Sequence, residues 1–431
     1  MPAPLHNVLI IGYVWPEPRS SAAGSRMLEL IELFRAQGWR VTFASAAALS
    51  EHRTDLPALG VEERSIRLNC DSFDEFVTQL QPDLVLFDRY FTEEQFAWRV
   101  ERACPDALRV LDTVDLHSLR EARQRLWSAA QREPVIPLRP QLSLKSRPAE
   151  LYGAMAASDM AQREIAAIYR SDLSLVISDV ELALLQQQFG LPANLLHYCP
   201  LMGIEALPDS PPFAQRSGFI SIGNFRHAPN WDAVLCLKQL LWPLIRQRLP
   251  QAQLLIYGAY PPPKATALHN PQQGFHVLGW ADDARQVMAS ARVCLAPLRF
   301  GAGIKGKLAD AMACGTPSVT TGIGSEGMCG ELSWGGAVAE EPEAFADAAV
   351  ALYQDPHRWR HAQLDGRDIL AQRFAAGPQR SDLIERLRLA QAQREQNRLS
   401  NFVGSMLRHH LHKSTRYLSQ WIAAKASNAS D

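Results

Sequence analysis

Short, continuously apolar segments alternate along the chain with segments whose apolar residues recur at helical spacing. Such apolar segments predict buried strands, because a strand covered by helices on both faces carries apolar side chains on both sides. The predicted strands lie at 8–14, 41–45, 83–87, 108–111 and 173–178 in the first half, and at 218–222, 253–257, 274–278, 293–298 and after Pro317 in the second. The alternation predicts an α/β protein with parallel sheets.

Between residues 202 and 217 the composition changes to Gly, Pro, Asp and Ser, which indicates a break between two arrays of strands and helices. A chain of 431 residues also suits two domains. We predict a first Rossmann-like, doubly wound domain at 1–203, a linker at 204–217, a second such domain at 218–377 and a helical tail at 378–431. The two domains are expected to face a cleft. No GxGxxG motif follows either first strand, which disfavours a dehydrogenase.

Charge and cysteine content argue against several classes of function. The 44 Lys and Arg residues balance 45 Asp and Glu residues, so nothing indicates nucleic-acid binding. Seven dispersed cysteines without a Cys-x-x-Cys pair predict reduced thiols and no metal site, and Asp282 and Asp283 are expected to cap a helix. No apolar run reaches the roughly 18 residues of a membrane span, and the first residues do not resemble a signal peptide. We therefore expect a cytoplasmic protein.

A glycine-rich bend between a predicted strand and a predicted helix is the strongest candidate binding site. It runs from Arg299 to Lys307 and contains Gly301, Gly303 and Gly306. Glycines let backbone amides approach a ligand closely, and a helix start carries partial positive charge. Arg299, Lys305 and Lys307 add full charges, so the bend suits the diphosphate of a nucleotide. An ordinary tight turn with solvated lysines is the alternative.

Polar residues also follow the predicted strand at 108–111, at the edge where open α/β sheets hold ligands. Asp115 and His117 are placed to share a proton or to orient a sugar hydroxyl, the alternative being a helix N-cap with a surface histidine. In the first loop between strand and helix, residues 23–26, with Gly24, are a candidate phosphate or sugar contact. A Pro-rich basic stretch at 121–147 is predicted to be a loop, either one that gates the cleft or an uneventful insertion.

The tail contains a basic amphipathic segment at 401–424. Its apolar residues lie near one side of a predicted helix, namely Phe402, Val403, Met406, Leu407, Leu411, Leu418, Trp421 and Ile422. The basic or imidazole side chains between them are Arg408, His409, His412, Lys413 and Arg416. Such a helix lies on an anionic membrane surface or packs against a neighbouring domain or a second subunit. The sequence leaves both interpretations open.

Several ordered motifs resemble those of GT-B glycosyltransferases of family 4, the group 1 sugar transferases. In the second half they are Gly-Asn-Phe-Arg-His-Ala-Pro-Asn at 223–230, Gly-Trp-Ala-Asp-Asp at 279–283, the glycine-rich bend, Asp-Ala-Met-Ala-Cys-Gly-Thr-Pro at 310–317 and Gly-Ser-Glu-Gly-Met at 324–328. In the first half they are Asp-Thr-Val-Asp-Leu-His at 112–117 and Ile-Ser-Asp-Val-Glu at 177–181. The resemblance extends over nearly the whole chain up to about residue 375.

This resemblance implies two Rossmann-like domains, a nucleoside diphosphate sugar held mainly by the second, an acceptor held mainly by the first, and retention of anomeric configuration. It implies no metal, no cofactor beyond the sugar donor as co-substrate, and a final helix that returns to the first domain. Two departures stand out. Ala302 and Asp310 replace the family's usual glutamate pair, and Asn224 and Asn230 replace an Arg and a Lys that clamp the diphosphate in many members.

Together these observations predict a glycosyltransferase that acts on a hydroxyl of a saccharide or lipid-linked acceptor in polysaccharide or glycoconjugate synthesis, in the cytoplasm or at the inner face of the membrane. The predicted catalytic residues are His117, Asp115 and Lys305. The predicted donor-binding residues are Gly24, Gly223, Asn224, Arg226, Arg299, Gly301, Gly303, Lys305, Lys307, Asp310 and Glu326. The alternatives are a sugar-nucleotide epimerase or hydrolase, and a catalytically silent GT-B subunit that scaffolds another transferase.

Overall fold

Seven parallel strands form the first of two sheets in the computed structural model, which describes residues 5–130, 143–144 and 147–428. The strands are β1 (Asn7–Gly12), β2 (Arg40–Ser45), β3 (Glu62–Ser65), β4 (Leu84–Asp88), β5 (Leu108–Asp112), β6 (Leu173–Val176) and β7 (Leu196–Tyr198). Their spatial order is β3-β2-β1-β4-β5-β6-β7. The order reverses between β1 and β4, and the carboxyl ends of strands at such a reversal hold ligands in open α/β sheets.

Six parallel strands form the second sheet. They are β8 (Phe219–Ile222), β9 (Leu254–Tyr257), β10 (Phe275–Gly279), β11 (Val293–Ala296), β12 (Ser318–Thr320) and β13 (Gly336–Val338). Their order is β10-β9-β8-β11-β12-β13, so the reversal lies between β8 and β11. We call the two parts built on these sheets the first lobe and the second lobe.

Helices cover both sheets. In the first lobe they are α1 (Ala22–Ala36), α2 (Ser72–Leu80), α3 (Tyr90–Ala103), α4 (His117–Ala130), α5 (Pro148–Ala156), α6 (Asp159–Arg170) and α7 (Asp179–Gln187). In the second lobe they are α8 (Ala228–Cys236), α9 (Trp242–Arg248), α10 (Pro263–Thr266), α11 (Ala284–Ser290), α12 (Gly306–Ala313), α13 (Gly322–Ser325), α14 (Pro342–Gln354) and α15 (Pro356–Arg373). The chain ends with α16 (Ala376–Ala392), α17 (Arg394–Ser400) and α18 (Phe402–Asn428).

The last helices belong to the first lobe by their packing. Leu383, Ile384 and Leu387 of α16 are buried in the same apolar cluster as Ile10 of β1 and Val110 of β5. Further along, α18 lies against α3 and α6. The return of the chain to the first lobe, which the family resemblance implied, is therefore observed.

The structure confirms the predicted strands to within two residues at each end, and it differs from the expected order of elements at three points. Helix α4 continues to Ala130, where a loop was predicted from residue 121, and residues 131–142 and 145–146 of that stretch lie outside the described residues. Two consecutive helices, α5 and α6, follow this stretch without a strand between them, because the Ser158 hydroxyl accepts a hydrogen bond from the Ala161 amide and starts α6. Strands β3, β7 and β13 and helix α2 were not predicted.

Two local predictions are confirmed. The Asp283 carboxylate accepts a hydrogen bond from the Gln286 amide, as expected of an N-cap. All seven cysteines are free thiols. None of the helices in the described residues combines the length and the apolar character needed to cross a bilayer.

Candidate active site between the two sheets

The carboxyl ends of the two sheets face each other, and loops from both lobes meet there. A Cβ atom on Gly306 would lie 2.5 Å from Cβ of Ala22, which starts α1 in the first lobe. Tyr260, which follows β9, donates its hydroxyl to the Glu17 carboxylate at 3.1 Å. The predicted cleft thus lies where each sheet reverses its strand order, and the glycine-rich bend forms one wall of it.

In this structure the bend rests on the first lobe. Gly303 has φ 66°, and a Cβ atom there would lie 2.8 Å from Cβ of Asp115. The Gly303 amide donates to the Glu181 carboxylate at 2.5 Å, and the Gly301 carbonyl accepts from Arg123 at 2.7 Å. The glycines therefore allow close approach of the two lobes. Whether the amides of Gly301 and Gly303 also bind a diphosphate stays a prediction.

Glu181 is a site residue that the sequence analysis missed. It lies near the start of α7 and is buried, and its second carboxylate oxygen has no hydrogen-bond partner within the described part of the chain. Burial, reinforced by the charge of Asp115, raises the pKa of Glu181. The only sequence signal for Glu181 was its position in the Ile-Ser-Asp-Val-Glu motif, because nothing in the local sequence shows that α7 faces the glycine-rich bend.

Two lysines carry positive charge into the site. Lys305 is buried, and its ammonium donates to the Gly303 carbonyl at 2.7 Å, while burial lowers its pKa. Lys307, in the first turn of α12, donates to Oδ1 of Asn230 at 2.6 Å. Burial lowers the pKa of Lys307 to about 8. A Cβ atom added to Gly223 would lie 2.7 Å from Nζ of Lys307, so the ammonium group lies directly beside the Gly223 backbone.

Asp115 and His117 lie opposite these lysines at the end of β5. Nε2 of His117 is 3.2 Å from the Asp115 carboxylate, which also accepts a hydrogen bond from Arg120. Burial alone would raise the pKa of Asp115, but Arg120 and His117 hold it well below its usual range. Asp115 is therefore an ionised carboxylate that orients the imidazole.

The backbone before Asp115 is strained. Val114 has φ 61°, and the Asp115 amide donates to the Thr113 carbonyl at 2.7 Å, which makes a γ-turn centred on Val114. A β-branched residue in this region is rare, and such outliers concentrate at functional sites. The start of α4 is held in addition by Glu164, whose carboxylate accepts the His117 amide at 2.9 Å. Both features fix Asp115 and His117 at the cleft.

A small cavity of about 40 Å³ lies beside Gly223. Its walls include Arg19 and Ser20 of the first lobe together with Gly223, Asn224, Gly258 and Trp280 of the second. At its rim the His52 ring stacks on the Trp280 ring, with centroids 4.0 Å apart and an interplanar angle of 3°. Two of the predicted donor-binding residues, Gly223 and Asn224, thus line the same cavity.

The remaining predicted donor residues occupy varied positions. Arg226 stacks over the Tyr260 ring at 3.6 Å, near the same cavity. Asp310 lies one helical turn after Lys307, and burial raises its pKa to about 6. Gly24 lies at the start of α1, where a Cβ atom would be 2.4 Å from the backbone of Glu17, and its amide donates to Ser21.

Two other predicted residues are already engaged in ion pairs. Arg299 makes two hydrogen bonds to Asp232, at 2.8 and 2.6 Å, which neutralise its charge. Glu326 accepts a hydrogen bond from Arg123 at 2.7 Å, and this pair joins the two lobes. Arg26, at the end of the candidate segment 23–26, is fully buried, and its guanidinium lies 2.8 Å from the Asp112 carboxylate. Its side chain is therefore not exposed to the cleft.

Substituting Gly303 tests the contact between the lobes. We expect Gly303→Ala to lower turnover by about 10²-fold, because a shift of about 1 Å at a reacting centre can cost that much. Gly38→Ala is the matched control, since Gly38 has φ 76° but no atom lies within 4 Å of the position that an added Cβ would take. The control shares the backbone strain without the steric clash. Equal turnover of both variants would show that the close approach at Asp115 has no functional role.

Comparison with known proteins supports the resemblance seen in the motifs. Residues 216–355, from just before β8 to the end of α14, match the family model described as Glycosyl transferases group 1. No curated protein matches the chain by sequence.

Solved structures share the fold across both lobes. Sucrose-phosphate synthase from Thermosynechococcus elongatus is 16% identical with a TM-score of 0.63, and the match covers 90% of this chain and 99% of that one. HepE from Anabaena, in complex with UDP and glucose, is 14% identical with a TM-score of 0.61, covering 89% and 99%. A glycosyltransferase from Rickettsia africae is 10% identical with a TM-score of 0.61, covering 90% and 98%. The expected GT-B fold is thereby confirmed.

Proposed function

We propose that this chain transfers a sugar from a nucleoside diphosphate sugar to a hydroxyl of a saccharide or lipid-linked acceptor, because residues 216–355 match the group 1 glycosyltransferase model and both lobes share the fold of solved glycosyltransferases. The reaction would belong to polysaccharide or glycoconjugate synthesis. A cytoplasmic location is part of the same proposal, since seven free thiols suit a reducing compartment. The proposed reaction uses neither a metal ion nor a cofactor other than the sugar donor.

The observation that carries this proposal is the ammonium group of Lys307. It lies at the switch point of the second sheet, and its hydrogen-bond partner is the neutral amide of Asn230 at 2.6 Å. Within the described residues no carboxylate comes within ion-pairing distance of it. Lys307 is half-buried, and charges withdrawn from water are normally paired, so this position suits an anionic ligand. A diphosphate beside the cavity at Gly223 would supply the missing charge.

The chemistry follows from where charge develops. As the bond between the anomeric carbon and the leaving oxygen stretches, negative charge collects on the diphosphate, and fixed cations aimed at it stabilise the transition state. Lys305 and Lys307 would take that role. If the acceptor attacks from the same face, the leaving phosphate itself accepts the acceptor's proton and configuration is retained. His117, oriented by Asp115, would then position the acceptor or the sugar.

Donor binding requires a local rearrangement in this scheme. A cavity of about 40 Å³ is far smaller than the sites of about 300–1,000 Å³ that hold ligands of this size. The Gly303 amide also has to leave Glu181 before it can donate to a phosphate oxygen. Because its pKa is raised, Glu181 is readily protonated, and a neutral carboxyl accepts hydrogen bonds more weakly than a carboxylate. Release of this contact would free the Gly303 amide, while the ion pair of Arg123 with Glu326 would still join the lobes.

Activity assays separate the proposal from its alternatives. UDP-glucose is a sensible first donor, since the similar Anabaena protein was solved with UDP and glucose. Mass spectrometry should show a glycosylated product only when donor and saccharide acceptor are both present. Product from donor alone would indicate an epimerase or a hydrolase. Failure to bind any nucleoside diphosphate in a thermal-shift screen of UDP, GDP, TDP and ADP would favour the silent scaffold subunit.

The pH dependence of nucleotide binding should report on Lys307. With its pKa at about 8, this lysine is charged at pH 7 and loses its proton as the pH rises. UDP affinity is therefore expected to fall above about pH 8, by up to tenfold per pH unit while the free form titrates. Calorimetry between neutral and mildly alkaline pH measures this. Lys307→Arg stays charged throughout, so an equally steep fall in that variant would contradict the assignment.

A further inference from the structure

Helix α18 presents two different faces. One face is fixed to the first lobe: Ser419 is buried and accepts a hydrogen bond from Arg99 of α3 at 3.0 Å. Gly404 packs closely against α6, since a Cβ atom added to Gly404 would lie 2.2 Å from the carbonyl oxygen of Tyr169. The orientation of α18 about its own axis is therefore set by packing.

Helix α18 also carries exposed apolar residues near both of its ends, at 402–406 and 417–422, and His410 and Ser414 lie between these groups in the sequence. We define the α18 stripe as its exposed apolar residues, which are Phe402, Val403, Met406, Tyr417, Leu418, Trp421 and Ile422. Val403, Met406, Tyr417 and Trp421 share one side of the helix, because their separations are close to whole turns of 3.6 residues. Tyr417 is 63% exposed and Trp421 57%. Large aromatic side chains exposed in a row usually mark an interaction surface.

The charge of α18 identifies the kind of surface that fits this stripe. From 402 to 428 the sequence contains four Lys and Arg residues and no Asp or Glu, whereas the whole chain has a net charge of -1. The four are Arg408, Lys413, Arg416 and Lys425. A second copy of this helix would bring like charges together, which disfavours a symmetric dimer through the stripe.

A basic groove lies beside the stripe. It is a cavity of about 430 Å³ between α3 and α18, lined among others by Trp98, Arg102, Arg408 and Arg416, with Glu101 as its acidic member. Glu101 lies 3.3 Å from Arg408 and partly compensates that charge. Arg416 is exposed at the groove. Cations therefore flank the exposed apolar side chains along much of the helix.

We propose that the α18 stripe docks the first lobe onto an anionic membrane surface. The apolar side chains would enter the interface between headgroups and acyl chains, where Trp and Tyr are favoured because they are amphipathic. Arg416 and Lys425 would meet the anionic headgroups. The docking does not depend on the proposed sugar transfer, but it would bring the lobe that carries His117 to a lipid surface.

Vesicle sedimentation of the full chain tests this proposal. The protein should sediment with vesicles that contain phosphatidylglycerol and not with vesicles of phosphatidylcholine alone, and added salt should weaken binding. The double variant Tyr417→Ser and Trp421→Ser, and the charge reversal Arg416→Glu with Lys425→Glu, should each reduce binding by about tenfold or more. These side chains are exposed, so the fold should be retained.

Controls separate docking from other effects. Leu364→Ser removes an apolar side chain that is 47% exposed on α15, and it should leave vesicle binding unchanged. Nucleotide affinity should be the same in all of these variants, so a failure of the proposed sugar transfer is seen independently. Equal binding to both kinds of vesicle, or none to either, would overturn the proposal. So would a dimer in solution that the Tyr417 and Trp421 substitutions convert to a monomer, because the stripe would then be a subunit interface.

Discussion

Replacing Lys307 by methionine is expected to lower the turnover number by about 10²–10³-fold, the usual loss when one preorganised donor to a developing anion is removed. Methionine keeps the length and apolar stem of the side chain, so packing around Asn230 and Gly223 should change little. The lost charge also acts on the bound nucleotide, and UDP affinity should fall as well. Steady-state kinetics with a saturating acceptor and calorimetry with UDP measure the two effects.

The exposed lysine of the same lobe supplies the control for this prediction. Lys264 lies on α10 with its ammonium 4.7 Å from the Trp231 ring centroid, and Lys264→Met removes the same charge from the lobe. Its turnover should stay within about twofold of wild type, since exposed charges are screened by solvent and salt. Lys307→Arg should recover part of the loss. Similar kinetics for Lys307→Met and Lys264→Met would exclude Lys307 from the reaction.

Removing the carboxylate of Asp112 should destabilise the first lobe by about 3–5 kcal/mol, the usual effect of leaving a buried charge without its partner. Arg26 and Asp112 are both fully buried, and the guanidinium makes three hydrogen bonds to this carboxylate at 2.8 to 3.0 Å. It also donates to the Cys199 carbonyl at 2.7 Å, so the pair joins α1, β5 and the segment after β7. Asp112→Ala should therefore lower the unfolding temperature by roughly 6–20 °C.

Two variants check this interpretation of the Arg26 pair. Glu94→Ala breaks the more exposed ion pair with Arg163 at 2.6 Å, and its effect should stay within about 1 kcal/mol. The double variant Arg26→Met with Asp112→Leu removes both charges, so it should be more stable than Asp112→Ala alone. Thermal unfolding followed by tryptophan fluorescence compares all three. A double variant less stable than Asp112→Ala would show that the hydrogen bonds to Cys199, and not the charge pairing, dominate.

Much of the site was predictable because it lies where parallel strands end. The position of the glycine-rich bend after β11 and of Asp115 after β5 follows from hydrophobic patterning and strand order alone. Lys307 was predicted by the same reasoning, because it places a positive charge at the start of the helix that follows the bend. The predicted roles of these residues in binding and catalysis stay predictions until a ligand is bound.

The partners of the charged residues were not predictable. Arg299 was expected to face a diphosphate, yet Asp232, 67 positions earlier, holds it in a two-bond ion pair. Glu326 pairs with Arg123 across 203 positions, and Glu181 reaches the Gly303 amide across 122. Local patterns contain no information on which of several charged loops will meet.

By itself the sequence determined the alternation of buried strands and helices, the break between two such arrays, and the edges at which ligands bind, because burial on both faces and turn chemistry are local properties. Tertiary structure alone decided that the bend rests against Asp115 and Glu181, that Arg26 is enclosed, and that α18 keeps an apolar face in solvent. These outcomes depend on how two lobes and a returning tail approach one another, and that approach is governed by contacts between residues far apart in the chain.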